Sequence, residues 1–195
     1  MPDTKTISFN TLDIPAEEAY NTLRTNIQFC GVVNKIKTIT ITSCNPGEGK
    51  TTVSFNIAKS MAKAGLKTLL VDTDLRKPNM AKLLSINEAS QVNGITDFIS
   101  GECEIESIIY TTPIKNFFVI LCGTIPPNPA ELLSTEKFSQ FIEDAKNNFF
   151  RAAKGQFDMI IFDSPPLGSV IDAAVLAAKT DGTLLVIKSK SVDYK

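Results

Sequence analysis

A glycine-rich loop that ends in a lysine and two threonines follows a strand-like run. The loop reads Ser43-Cys44-Asn45-Pro46-Gly47-Glu48-Gly49-Lys50-Thr51-Thr52. In such loops, backbone N–H groups and the dipole of the next helix bind a phosphate, while the lysine reaches the β- and γ-phosphates and the next hydroxyl binds Mg²⁺. The common form of this motif has a glycine where Cys44 stands. The predicted nucleotide-binding residues are Pro46, Gly47, Glu48, Gly49, Lys50, Thr51 and Thr52.

Three aspartates stand at the ends of other strand-like runs. Asp72 and Asp74 follow one run, and Asp163 ends another. If these strands neighbour the first one, the carboxylates meet the phosphate loop. Phosphoryl transfer requires a cation, acids that hold a metal ion and an acid that activates the nucleophile. The predicted catalytic residues are Lys50, Asp72, Asp74 and Asp163, and the predicted metal ligands are Thr51, Asp72 and Asp163.

Arg76 lies just after the first two aspartates and has two interpretations. It is either a structural partner of these acids or a contact to a phosphate. The structural interpretation is favoured slightly.

The rest of the chain alternates between short β-rich runs and amphipathic stretches. The strand-like runs are residues 38–42, 68–71, 117–121, 159–162 and 184–187. Strands with nearly continuous apolar residues are typical of a parallel sheet that is buried on both faces. The alternation predicts an α/β fold with a doubly wound, mostly parallel sheet, a three-layer sandwich like that of the P-loop NTPases. In such folds ligands bind beyond the carboxyl ends of the strands.

Helical spacing of apolar residues predicts three helices around these strands. The first covers about residues 16–29, and the second covers residues 53–64, with Gly65 as its C′ residue. Ser134 is the predicted N-cap of the third. The apolar stripe of that third helix consists of Phe138, Phe141, Ile142, Ala145 and Phe149.

The composition excludes several classes of function. The chain has 20 Lys and Arg against 21 Asp and Glu, a net charge of −1 over 195 residues. It therefore has no basic excess of the kind that electrostatic binding of nucleic acid requires. The four cysteines form no CxxC pair and no histidine occurs in the sequence, so we expect neither a zinc site nor catalysis by histidine. The apolar runs are too short to cross a bilayer and no signal peptide is recognised, so we expect a cytoplasmic protein.

Over nearly its whole length, the sequence resembles the cytoplasmic kinase domain of the bacterial tyrosine kinases (BY-kinases), the autokinases of capsular and exopolysaccharide synthesis. The resemblance rests on the phosphate loop and on residues 18–27, 71–78, 94–101, 123–133 and 162–166. It implies that Mg-ATP binds the loop and that Asp72, Asp74 and Asp163 serve metal binding and catalysis. The implied acceptor is tyrosine, mainly in a tail carried by a neighbouring subunit.

The resemblance also implies a partner at the membrane. This partner is an adaptor of the polysaccharide chain-length type, which activates the kinase and recruits it to the inner face of the plasma membrane. The family's oligomerisation signature, Glu-x-x-Arg-x-x-Arg, reads Glu18, Asn21 and Arg24 here. These residues share one face of the predicted helix, but the middle charge is missing, so we expect weaker self-association.

The family usually continues beyond the last strand found here into a helix, another strand and a tyrosine-rich tail. We therefore expect residues 1–195 to be one kinase domain that is shortened at its C-terminus. The tyrosines of this chain are Tyr20, Tyr110 and Tyr194, and none belongs to such a tail.

Two other functions fit part of the pattern. An ATPase switch of the partition or septum-site type would share the fold, but its loop has a second lysine where Asn45 stands. A non-catalytic adaptor that binds nucleotide would keep Lys50 but would not need all three aspartates. The leading interpretation is an ATP-dependent protein-tyrosine autokinase that regulates polysaccharide synthesis.

Overall fold

A six-stranded sheet lies at the centre of the computed structural model, which describes residues 13–31, 35–86 and 92–189. The strands are β1 (Thr38–Ser43), β2 (Thr68–Asp72), β3 (Tyr110–Thr111), β4 (Phe117–Ile120), β5 (Met159–Asp163) and β6 (Gly182–Val186). Their order across the sheet is β3-β4-β2-β5-β1-β6. All neighbours are parallel except the short β3, which is antiparallel to β4. The predicted doubly wound, mostly parallel sheet is confirmed.

Helices cover both faces of the sheet. They are α1 (Ile14–Cys30), α2 (Lys50–Lys63), α3 (Met80–Leu83), α4 (Ile95–Ser100), α5 (Pro129–Ser134), α6 (Glu136–Asn147) and α7 (Asp172–Ala177). The first three helices pack on one face and the other four on the opposite face, which confirms the three-layer sandwich. Among the described residues, no helix combines the length and the apolar character that crossing a membrane requires.

The side chains of β2 show why its sequence is continuously apolar. Leu69 and Val71 belong to the hydrophobic core on one face, and Leu70 belongs to the core on the other. Successive side chains of a strand point to opposite faces, so a strand covered on both sides needs apolar residues throughout. The strand β6 differs from the expectation that each strand is buried on both faces. It lies at the edge of the sheet, and Leu185 is 45% exposed.

The predicted limits of α6 are wrong at both ends. The N-cap is Thr135, whose hydroxyl accepts the N–H of Phe138 at 3.2 Å, because Ser134 is already the last residue of α5. At the other end, Asn148 adopts an extended conformation, with φ −94° and ψ 158°. The helix therefore stops before Phe149, which is 67% exposed, whereas the other four residues of the predicted stripe are buried.

Helix α1 packs against α2 of the same chain. The Ser60 hydroxyl donates to Asn21 Oδ1 at 2.8 Å, and Arg24 Nη1 donates to the Ser60 carbonyl at 3.2 Å. Glu18 is exposed. Two of the three residues at the positions of the oligomerisation signature thus contact α2 within the chain.

Candidate active site

The loop between β1 and α2 is largely exposed and leads directly into the beginning of a helix. Gly47 and Gly49 have φ angles of +78° and +92°, which glycine adopts without steric cost. A Cβ added at either position would meet no atom within 4 Å, so the backbone conformation, rather than crowding, favours glycine. Helix α2 begins immediately afterwards at Lys50, and the first N–H groups of a helix have no partner inside it. This geometry fits a bound phosphate group.

Internal hydrogen bonds hold the shape of this loop. Glu48 Oε2 accepts the N–H of Asn45 at 2.8 Å, and the Ser43 hydroxyl donates to the Asn45 carbonyl at 2.8 Å. The hydrogen bond from Asn45 also lowers the pKa of Glu48. From the other side, the N–H of Gly168 donates to the Cys44 carbonyl at 3.1 Å. The Glu48 carboxylate is therefore engaged within the loop itself.

The predicted catalytic residues lie together at the carboxyl end of the sheet. Asp72 and Asp163 are the final residues of adjacent strands and are in register. Asp74 Oδ2 lies 3.2 Å from Lys50 Nζ, and all four residues are buried. Only Asp163 belongs to a strand next to β1, since β2 lies one strand further away.

Hydroxyl groups from two elements contact Asp163. The Ser54 hydroxyl donates to Oδ1 of Asp163 at 2.8 Å. Burial raises the pKa of Asp163, and the nearby Thr51 hydroxyl opposes this rise because it favours the charged carboxylate. The N–H and hydroxyl of Thr73 donate to the Asp163 carbonyl at 2.9 and 2.7 Å. Sequence analysis missed Ser54 and Thr73. The spacing of Ser54, four residues after Lys50 on one helix face, is the signal that could have found it.

Asp72 is enclosed by backbone and by other acids. Its two carboxylate oxygens accept the N–H groups of Asp74 and Met80, each at 3.3 Å. Burial, followed by the charge of Asp163, raises the pKa of Asp72 well above its ordinary value. Burial also raises the pKa of the nearby Cys122 thiol to about 12. Negative charge on the buried acids around Asp72 is therefore unfavourable unless cations bind beside them.

Asp163 is expected to make the folded chain less stable as the pH rises. Burial raises its pKa from 3.8 to about 6, so its contribution to stability is present below pH 3.8 and is lost as the pH rises through about 6. Asparagine carries no charge at any of these pH values. We expect Asp163→Asn to raise the Tm over the parent by more at pH 8 than at pH 5. An equal difference in Tm at both pH values would contradict the raised pKa.

Arg76 forms a bidentate ion pair with an acid that sequence analysis did not single out. Its Nε and Nη2 lie 2.8 and 3.0 Å from the two carboxylate oxygens of Asp172. The Asp172 side chain is 0% exposed and that of Arg76 is 42% exposed. The structural interpretation of Arg76 is supported, but its ion-pair partner is Asp172 at the beginning of α7 and not one of the three predicted acids.

We expect Arg76→Ala to lower the free energy of unfolding by about 1–3 kcal/mol, because it leaves the buried Asp172 carboxylate without its cation. Urea unfolding measures this loss. In an Asp172→Asn background Arg76→Ala leaves no buried charge behind, so it should lower the free energy of unfolding by clearly less than in the parent. Equal costs in the two backgrounds would show that the ion pair does not stabilise the fold.

Comparisons with known proteins agree with this fold. A family model described as an AAA domain matches residues 36–194. Tyrosine-protein kinase CpsD of Streptococcus pneumoniae is 44% identical over 180 residues, which are 92% of this chain and 74% of that protein. Tyrosine-protein kinase YwqD of Bacillus subtilis is 38% identical, over 88% of this chain and 68% of that protein.

Solved structures distinguish the two enzyme classes that the sequence suggested. The kinase domain of Escherichia coli tyrosine kinase ETK has a TM-score of 0.79 and 32% identity, and the match covers 95% of this chain and 70% of that one. The septum site-determining protein MinD of Pyrococcus horikoshii, complexed with Mg-ADP, has a TM-score of 0.59 and 27% identity, with 77% and 57% covered. Because similarity in sequence and in structure extends over most of the chain, this protein belongs to the bacterial tyrosine kinase (BY-kinase) family.

Proposed function

We propose that this chain is an ATP-dependent protein-tyrosine kinase. The observation that carries the proposal is the buried cluster of Lys50, Asp72, Asp74 and Asp163 beside the glycine-rich loop. A phosphotransferase needs such a combination of a cation and acids around the phosphates. The names of the relatives, which are tyrosine-protein kinases, indicate tyrosine as the acceptor.

The phosphates of ATP would bind the N–H groups of residues 46–52. Lys50 would then face the β- and γ-phosphates, and the Thr51 hydroxyl and Asp163 would hold Mg²⁺. In the described part of the chain, no three His, Cys, Asp or Glu side chains form a group that could hold a metal ion. Magnesium in phosphoryl-transfer sites is usually held by one or two carboxylates together with phosphates and water. When bound, the ion neutralises charge on the phosphates.

Asp72 is the proposed base. A tyrosine hydroxyl with a pKa of about 10 is protonated at neutral pH. Asp72 would accept this proton while the oxygen bonds to the γ-phosphorus, the bond to the β–γ bridging oxygen breaks and ADP leaves. A raised pKa makes the Asp72 carboxylate a stronger base. Asp72 is 1% exposed, so residues that cover it must move before a tyrosine reaches it. Asp74 would support the metal site.

Regulation of capsular or exopolysaccharide synthesis, together with a membrane adaptor, is the proposed biological setting. It is what the resemblance of nearly the whole chain to this family implies. Recruitment by the adaptor would place the chain at the inner face of the plasma membrane. Self-association through α1 would have to accommodate the contacts that Asn21 and Arg24 make with Ser60.

Formation of phosphotyrosine tests this function directly. The acceptor should be a tyrosine-rich peptide supplied in trans, because Tyr20 and Tyr110 are half-buried; Tyr194 lies outside the described residues. We expect phosphotyrosine on the peptide with ATP and Mg²⁺, and none when EDTA removes the metal. Hydrolysis of ATP without phosphotyrosine would instead favour the ATPase switch.

A further inference from the structure

Ser54 is a buried hydroxyl on α2 with two acceptors. Its side chain is fully buried, and its Oγ lies 2.9 Å from the Lys50 carbonyl oxygen and 2.8 Å from Oδ1 of Asp163. Serines within helices often bond the carbonyl four residues earlier. The contact with Asp163 goes beyond this local pattern, because it joins α2 to the end of β5.

The contacts around Asp163 restrict how its carboxylate can rotate. Thr73 holds the main chain of this residue through two hydrogen bonds to its carbonyl. Ser54 holds Oδ1 of the side chain. With the backbone and one oxygen held, the direction of the second oxygen is also set.

We propose that Ser54 is a positioning residue, which orients the Asp163 carboxylate toward the Mg²⁺ of a bound nucleotide. This inference rests on the proposed function, in which Asp163 holds that metal. Ser54 itself is fully buried and acts through Asp163. Groups that hydrogen-bond a metal ligand orient it, and their loss typically costs about 10- to 100-fold in metal affinity or activity.

The same helix offers a matched control. Ser60 is also a nearly buried serine of α2, and its hydroxyl donates to Asn21 on α1 at 2.8 Å. A general effect of removing a buried serine hydroxyl from α2 should appear at both positions. An effect on the metal should appear only at Ser54.

The test measures how much Mg²⁺ strengthens the binding of ADP. Titration calorimetry in EDTA and in Mg²⁺ gives this gain for the parent and for Ser54→Ala, Ser54→Thr, Ser54→Val and Ser60→Ala. We expect Ser54→Ala and Ser54→Val to reduce the gain by about 10-fold, with ADP binding in EDTA unchanged. Ser54→Thr and Ser60→Ala should retain the parental gain. Threonine and valine have the same shape, so their comparison isolates the hydroxyl.

The outcomes separate this inference from the proposed function. A parental gain in Ser54→Ala would overturn the role of Ser54 and leave the nucleotide site standing. No gain in the parent itself would overturn both. Weaker binding of ADP in EDTA with an unchanged gain would indicate a structural role and would also overturn the inference. If thermal unfolding shows that Ser54→Thr and Ser54→Val do not fold, the comparison of Ser54→Ala with Ser60→Ala decides whether Ser54 has this role.

Discussion

Replacement of Lys50 by methionine is expected to lower the rate of phosphoryl transfer to a tyrosine peptide by about 100- to 1,000-fold. Methionine keeps an unbranched side chain of similar length but removes the charge that would face the β- and γ-phosphates. Loss of a single group that stabilises the transition state typically has an effect of about this size. The measurement is the initial rate of phosphotyrosine formation at saturating ATP and Mg²⁺.

The matched control for this variant is Lys63→Met at the other end of α2. Lys63 forms an exposed ion pair with Glu17, so its loss should leave the rate at the parental level. Lys50→Met also leaves the buried Asp74 without its ion pair, and thermal unfolding should therefore be recorded alongside the rate. If Lys50→Met folds and still transfers phosphate at the parental rate, Lys50 is not part of the catalytic machinery.

Asp72→Asn is expected to lower the rate of transfer by about 100- to 10,000-fold, the usual contribution of a general base. Asparagine occupies the same space, but its one carbonyl oxygen replaces only one of the two carboxylate oxygens that accept the N–H groups of Asp74 and Met80, so thermal unfolding should be recorded alongside the rate. Asparagine cannot take the proton of the tyrosine hydroxyl. The affinity for ADP in the presence of Mg²⁺ should therefore change much less than the rate.

Asp163→Asn provides the contrasting result. This variant should weaken the dependence of ADP binding on Mg²⁺, since Asp163 is the proposed metal ligand. If Asp72→Asn transfers phosphate at the parental rate, Asp72 is not the base, and the metal alone would have to activate the hydroxyl. If Asp72→Asn instead weakens the dependence of ADP binding on Mg²⁺, the main role of Asp72 is to bind the metal ion and not to act as the base.

The location of the site could be predicted from sequence because parallel strands end at a common edge. The apolar runs of β2 and β5 are followed by acids at the carboxyl ends of these strands, and the glycine-rich loop marks the end of β1. These signals are local. The clustering of Lys50 with Asp72, Asp74 and Asp163 follows once the sheet is parallel.

Other features depend on contacts that local patterns do not encode. Ser54 lies 109 residues from Asp163 in the chain, and its spacing from Lys50 indicates only that it faces the site, not that it binds this carboxylate. The pairing of Arg76 with Asp172 depends on where α7 packs, which is decided by tertiary contacts. The N-cap of α6 was misassigned because Ser134 and Thr135 are both good capping residues, and only the end of α5 selects between them.

The position of β6 at the edge of the sheet has a consequence for work in solution. Among the described residues β6 pairs only with β1, so within them the outer side of its backbone has no strand beside it, and Leu185 and Ile187 are exposed there. Open edges of this kind promote aggregation by adding strands. Particle sizes measured at high concentration would therefore include any edge pairing in addition to the proposed contacts through α1. A lysine in place of Thr183, an exposed residue of this strand, should suppress edge pairing and leave association through α1 unchanged.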